Sequence, residues 1–141
     1  MKTSYQNVSA YRTKDGSEIR ELMHPRVHGH GYQSLAEAIV WPGEQTHRHR
    51  HRITEEIYHV TSGVGSMNLG DDCFVIRAGD TIRIAPGVPH SVTALEEAPL
   101  HILCCCSPAY THEDTEMENE PSDYEALPDP YSGRHCAVGT T

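Results

Sequence analysis

The sequence predicts an all-β domain, on three observations. Turn residues recur at short intervals, at Gly29 and Gly31, Pro42-Gly43, Gly63, Gly70-Asp71-Asp72, Gly79-Asp80 and Pro86-Gly87. Most of the stretches between them are four to nine residues long and rich in Ile, Val, Thr and Tyr, the composition of strands on a pleated, half-buried surface. No stretch from 17 to 106 carries the apolar period of a helix. With 141 residues, the chain is the size of one domain with a core of its own and too short for two.

The elements follow in order. Residues 1–16 are read as an N-terminal arm and 17–110 as the β-domain. Within it, YQSLAEAIV ends at Pro42-Gly43, THRHRHR follows, and EEIYHVTS runs to Gly63. GSMNL and CFVIR read as a hairpin around Gly70-Asp71-Asp72. TIRI, HSVTAL and PLHILCCC complete the set. The best helix candidate is HEDTEMENE at 112–120, acidic all round and without an apolar stripe. Residues 111–141 are read as an acidic, Pro-rich C-terminal tail.

Charge narrows the function classes. Acids outnumber Lys plus Arg by 20 to 11, for a net charge of −9. The excess sits in the tail: residues 1–110 hold 12 acids and 10 bases, and residues 111–141 hold 8 acids and one base, Arg134. An acidic chain without a Lys/Arg stripe argues against a nucleic-acid partner. The longest apolar runs are too short to span a membrane, and no secretory leader is visible at the start. The expectation is a soluble, cytoplasmic protein. Five cysteines, three of them consecutive (Cys104, Cys105, Cys106), read as reduced thiols and not as a disulfide framework.

Histidine is over-represented, with 11 residues against one Phe and one Trp. Side chains alternate along a strand, so His47, His49 and His51 share one face and Arg48, Arg50 and Arg52 the other. Same-face neighbours sit about 6.5–7 Å apart, close enough for two imidazoles to converge on one ion with bonds of about 2.0–2.1 Å. All three cannot share an ion unless the strand bends. Glu56 opens the next strand and reaches the same ion if that strand pairs beside the histidine strand. His90 follows a tight Pro/Gly turn. Three neutral imidazoles and one carboxylate suit Fe, Mn, Ni, Co, Cu or Zn, and the ligand set does not choose among them.

Residues 43–63 match G-x5-HxH-x4-E-x6-G at every fixed position, and residues 79–90 resemble G-x5-P-x-G-x2-H. These are the two motifs of the cupin superfamily, and the chain resembles a small single-domain cupin. It departs from the pattern at Ala85, where the family usually has Pro, and at Ala94, where it usually has Asn. The resemblance implies a double-stranded β-helix, or jelly-roll barrel, with His49, His51, Glu56 and His90 as ligands to one divalent transition-metal ion. His47 falls outside the motif and is expected at the barrel mouth. Glu55 then faces outward, within reach of Arg50 or Arg52.

The resemblance also implies a homodimer formed through one sheet, with Ile57 and the strand around Ile19 to Met23 as contact residues. Tyr58 shares the face of Glu56 and points inward, either as a core tyrosine or as a catalytic acid or base beside the metal, with Glu56 as its companion. Either face of the Cys104–Cys106 strand can be the inner one. His24, His28, His30 and His59 are expected at the surface or mouth, and Arg20 and Arg83 in outward ion pairs. The expected function is a metal-dependent enzyme acting on a small acid, diketone or sugar derivative. Oxygenase chemistry is favoured, with a lyase, decarboxylase or isomerase next and a non-catalytic sensing module as the other class.

Overall fold

A computed structural model describes residues 1–29 and 31–118. In chain order the strands are β1 (Tyr11–Arg12), β2 (Glu18–Met23), β3 (Ser34–Val40), β4 (His49–His51), β5 (Glu55–Ser62), β6 (Val64–Leu69), β7 (Asp72–Arg77), β8 (Thr81–Ile84), β9 (His90–Ala94), β10 (Leu100–Ser107) and β11 (Thr115–Met117). They form two antiparallel sheets, β1-β2-β3-β10-β5-β8 and β11-β4-β9-β6-β7. The two sheets make a double-stranded β-helix, the all-β architecture expected from the spacing of the turn residues.

Alternation along each strand decides what faces inward. On β10 the inward set is Leu100, Ile102, Cys104 and Cys106, all buried, and Cys105 is exposed on the other face. Val60 on β5, Met67 on β6 and Ile76 on β7 are fully buried and close the core between the sheets. Each such side chain contributes roughly 1.5–3 kcal/mol through the apolar surface it takes from water. At the β5–β6 corner Gly63 has φ of +87°, and a Cβ there would lie 2.6 Å from the Pro99 carbonyl oxygen. Only glycine makes that turn against β10.

The structure corrects several expectations. The 112–120 helix does not form over the described part of that segment. Residues 115–117 are instead strand β11, pairing Thr115 with His51 and Met117 with His49. Its alternation places Thr115 inward and Glu116 beside Arg50 and Arg52, which a helical wheel could not register. The barrel therefore runs past 110, and the part of the expected tail from 119 onward lies outside the described residues. The N-terminal arm is also built in, through β1 on β2.

Ile19 faces the core rather than a dimer partner, whereas Ile57 is exposed on the outer face. Glu55 pairs with Arg83, at 2.6 Å, because β8 and not β4 lies beside β5. Arg20 lies outside with Glu18, at 3.7 Å. His24 is buried and not at the surface: it donates to the Tyr110 carbonyl, at 2.7 Å, and accepts from the Arg26 amide. His28 accepts from the His24 amide, His59 is exposed beside Thr81, and His30 lies outside the described residues. Cys104, Cys105 and Cys106 are free thiols, but Cys73 is disulfide-bonded, against the expectation that all five are reduced. Among the described residues no helix is long and apolar enough to cross a membrane.

Candidate metal centre

Two strands distant in sequence bring the histidines together. His49 on β4 pairs directly with His90 on β9, and His51 follows two residues along the same inward face. The turn before His90 is docked on β4 through the Gly87 amide, which donates to the His51 carbonyl at 2.7 Å. The donor atoms of His49, His51 and His90 all lie within 4.8 Å of one another.

Each imidazole is oriented through its Nδ1. His49 Nδ1 donates to the His47 carbonyl, at 2.8 Å, and His90 Nδ1 to the Val88 carbonyl, at 3.0 Å. His51 Nδ1 lies 3.1 Å from Thr115 Oγ1, whose own hydrogen goes to the Thr111 carbonyl. Thr115 is therefore the acceptor. All three rings spend the Nδ1 hydrogen on the protein and turn Nε2 inward, as metal-ligating histidines do. His47 is exposed and meets the site only through its carbonyl.

Glu56 arrives differently from the expectation. Its strand does not pair beside β4; β5 lies in the other sheet, so the carboxylate reaches in from the opposite wall. The 52–54 corner makes this possible. Asp114 accepts there from the amides of Ile53, at 3.0 Å, and Thr54, at 3.0 Å, and its carbonyl takes the Arg52 amide.

Glu56 Oε1 then lies 3.5 Å from His51 Nε2 and 3.4 Å from His90 Nε2, and Oε2 accepts from the Cys106 thiol at 2.9 Å. Burial pulls the Glu56 carboxyl upward, but the His51 and His90 rings outweigh it and hold it below the usual carboxylate range. Burial, then the neighbouring His90, pushes His49 down to about 4. Burial, then Glu56, pushes the Cys106 thiol up, so it stays a hydrogen-bond donor and not a nucleophile.

The donors fit a divalent ion. Glu56 Oε1 and His90 Nε2 are buried without a hydrogen-bond partner, a costly arrangement for a carboxylate and an imidazole unless something joins them. Nitrogen and oxygen donors at this spacing match first-row transition metals.

The cavity beside them offers about 40 Å³ to the centres of water molecules, room for about three waters or one molecule of a few heavy atoms. Tyr58 lines it with its ring 5.9 Å from that of His90. Burial, then Glu56, raises the Tyr58 hydroxyl well above its ordinary value, so it is a phenol and a proton donor. Tyr110 stands edge-on to His51, with ring centroids 5.7 Å apart.

Sequence reasoning missed Thr115, Cys106 as the partner of Glu56, Tyr110, Asp15 and Glu21, all of which line the cavity. For Glu21 a signal existed: it alternates with Ile19 along β2, so an inward Ile19 implies an inward Glu21.

A family model described as a cupin domain matches residues 36–106; the chain belongs to the cupin family. It is 49% identical over 117 residues to an uncharacterized protein of Methanocaldococcus jannaschii, covering 83% of this chain and 94% of that one. It is 27% identical over 120 residues to a protein named polyketide synthase CurC of Streptomyces cyaneus, covering 82% and 78%.

Among solved structures it resembles a predicted oxalate decarboxylase of Thermotoga maritima (TM-score 0.68, 21% identity, 77% of this chain and 99% of that one). It also resembles KdgF of a Halomonas species (0.66, 17%, 77% and 94%). Against oxalate decarboxylase of Bacillus subtilis the TM-score is 0.70 at 22% identity, over 84% of this chain and 32% of that one. At these identities the likeness is one of fold.

Proposed function

We propose that this chain is a divalent-metal-dependent cupin enzyme acting on a small organic molecule, with His49, His51, Glu56 and His90 as the metal ligands and oxygenase chemistry as the reaction type. One observation carries the reading. Three imidazoles have every Nδ1 hydrogen taken by the protein and their donor atoms within 4.8 Å of one another, with the Nε2 atoms of His51 and His90 beside the buried, unpartnered Oε1 of Glu56. Such a site, when loaded, supplies Lewis acidity to a carbonyl or carboxylate and, with a redox-active ion, electrons for dioxygen chemistry.

The chain's own groups divide the remaining work. Cys106 and Thr115 hold the ligands, the apolar wall of Ala36, Ala38 and Ile19 limits the entry of water, and the Tyr58 phenol holds a proton beside the substrate. That phenol also favours a second reading, a lyase, decarboxylase or isomerase in which Tyr58 is the general acid.

Purification without added metal, followed by elemental analysis and oxygen-uptake assays with small diketones, sugars and acids, separates the two. Iron or copper with substrate-dependent uptake supports oxygenase chemistry. Turnover without uptake supports the lyase or isomerase reading. Glu56→Gln is expected to lose metal and turnover together, and turnover surviving in metal-free protein contradicts both readings. The homodimer expected by analogy with other cupins, through the six-stranded sheet that exposes Ile57, is checked directly by light scattering.

A further inference from the structure

Beyond Glu56, the cavity wall carries two further carboxylates, Asp15 and Glu21, and no lysine or arginine among the described residues. Asp15 is fixed: its Oδ1 accepts from Thr13 Oγ1 at 2.6 Å, the Ser17 amide at 2.9 Å and Ser17 Oγ at 2.7 Å. That leaves Oδ2 turned to His49, 3.8 Å from Nε2. Glu21 is fixed through Oε1, which accepts from the Tyr11 hydroxyl at 2.8 Å, while its Oε2 is buried with no partner among the described residues. The hydroxyls of Thr13, Ser17, Ser34 and Tyr58 line the same space.

A divalent ion with Glu56, Asp15 and Glu21 leaves the site with about one net negative charge, in a cavity where charges are poorly screened. A dicarboxylate adds two more. A neutral or cationic molecule adds none, and its hydroxyl or amino hydrogens are complementary to a wall that carries the Asp15 and Glu21 carboxylates.

We propose that the cavity selects a small neutral or cationic molecule bearing hydroxyl or amino hydrogens, and that Asp15 and Glu21 are specificity-determining residues that reject carboxylate substrates. The inference rests on the proposed metal site and narrows its substrate class away from the acids.

The test uses the full chain loaded with Co(II), whose visible spectrum reports changes at the ion. Two probes of near-equal size are titrated: hydroxyacetone, neutral with a hydroxyl, and pyruvate, which carries a carboxylate in its place. Hydroxyacetone is expected to reach half-saturation at a concentration about tenfold lower than pyruvate. Glu21→Gln, which keeps the shape and removes the charge, is expected to shrink that ratio by about threefold or more. Asp15→Asn keeps an Oδ1 acceptor for Thr13 and Ser17 and serves as the second variant, with the same shift expected.

Equal or tighter binding of pyruvate to the unaltered protein overturns the proposal. So does a ratio that neither variant moves, or a spectrum that neither probe changes. Failure of the chain to take up cobalt at all appears before any probe is added, and counts against the metal site rather than against the selectivity.

Discussion

Thr115 Oγ1 receives the Nδ1 hydrogen of His51 at 3.1 Å, across the β11–β4 pairing. A strand formed near the end of the described chain thus sets the tautomer of a residue in the first cupin motif. Removing the acceptor while keeping the shape, as in Thr115→Val, strands a buried imidazole hydrogen. Metal affinity is expected to fall roughly 10–100-fold, and Thr115→Ser to restore it. Competition with a chelating dye measures both.

Asp114 stabilises the corner that separates His51 from Glu56. Its carboxylate takes two amides there, those of Ile53 and Thr54. Asp114→Ala leaves the buried Thr54 amide unpaired and is expected to lower stability by roughly 1–3 kcal/mol in urea unfolding. Metal affinity should fall with it, because Glu56 follows the corner by two residues. An unchanged urea midpoint contradicts this account of the corner.

The boundary of the folded unit gives a paired test. A chain ended after residue 110 loses β11, the three amide contacts of Asp114 and the acceptor for His51. A chain ended after 118 keeps them all. Thermal unfolding is expected to show a lower Tm for the shorter chain, with weaker metal binding. Equal Tm values would return 111–118 to the status of a tail.

Acid should destabilise the metal-free protein over a defined range. Burial, reinforced by His90, lowers the His49 pKa from 6.5 to about 4, so the unfolded chain takes up a proton there before the folded one does. The contribution is complete above about pH 6.5 and is lost as pH falls toward about 4, on the order of 3 kcal/mol. Glu56, where burial is outweighed by His51 and His90, is also held low and acts with the same sign at still lower pH. Urea midpoints between pH 7 and 4 check this, and a flat profile contradicts it.

Much of the site was legible in the sequence because its information is local. The spacing of His49, His51 and Glu56 and the Pro/Gly turn before His90 survive any uncertainty about which strands pair. What could not be read depends on pairing. Side-chain alternation brings Glu56 to the ion by pairing its strand beside β4, whereas it comes from the facing sheet after the corner held by Asp114. Glu116 and Thr115 sit in an acidic run that looks like solvated surface until β4 is laid beside it. The inward face of Cys104 and Cys106 was open in the alternation alone, and only the packing of Leu100 and Ile102 against Val60 and Met67 decides it.

The most direct test of the metal centre is a crystal of the metal-loaded protein with diffraction recorded on both sides of the bound metal's absorption edge. The expected result is one anomalous peak within about 2.0–2.3 Å of Nε2 of His49, His51 and His90 and of a Glu56 carboxylate oxygen. A peak elsewhere, with those three rings turned apart or hydrogen-bonded among themselves, contradicts it.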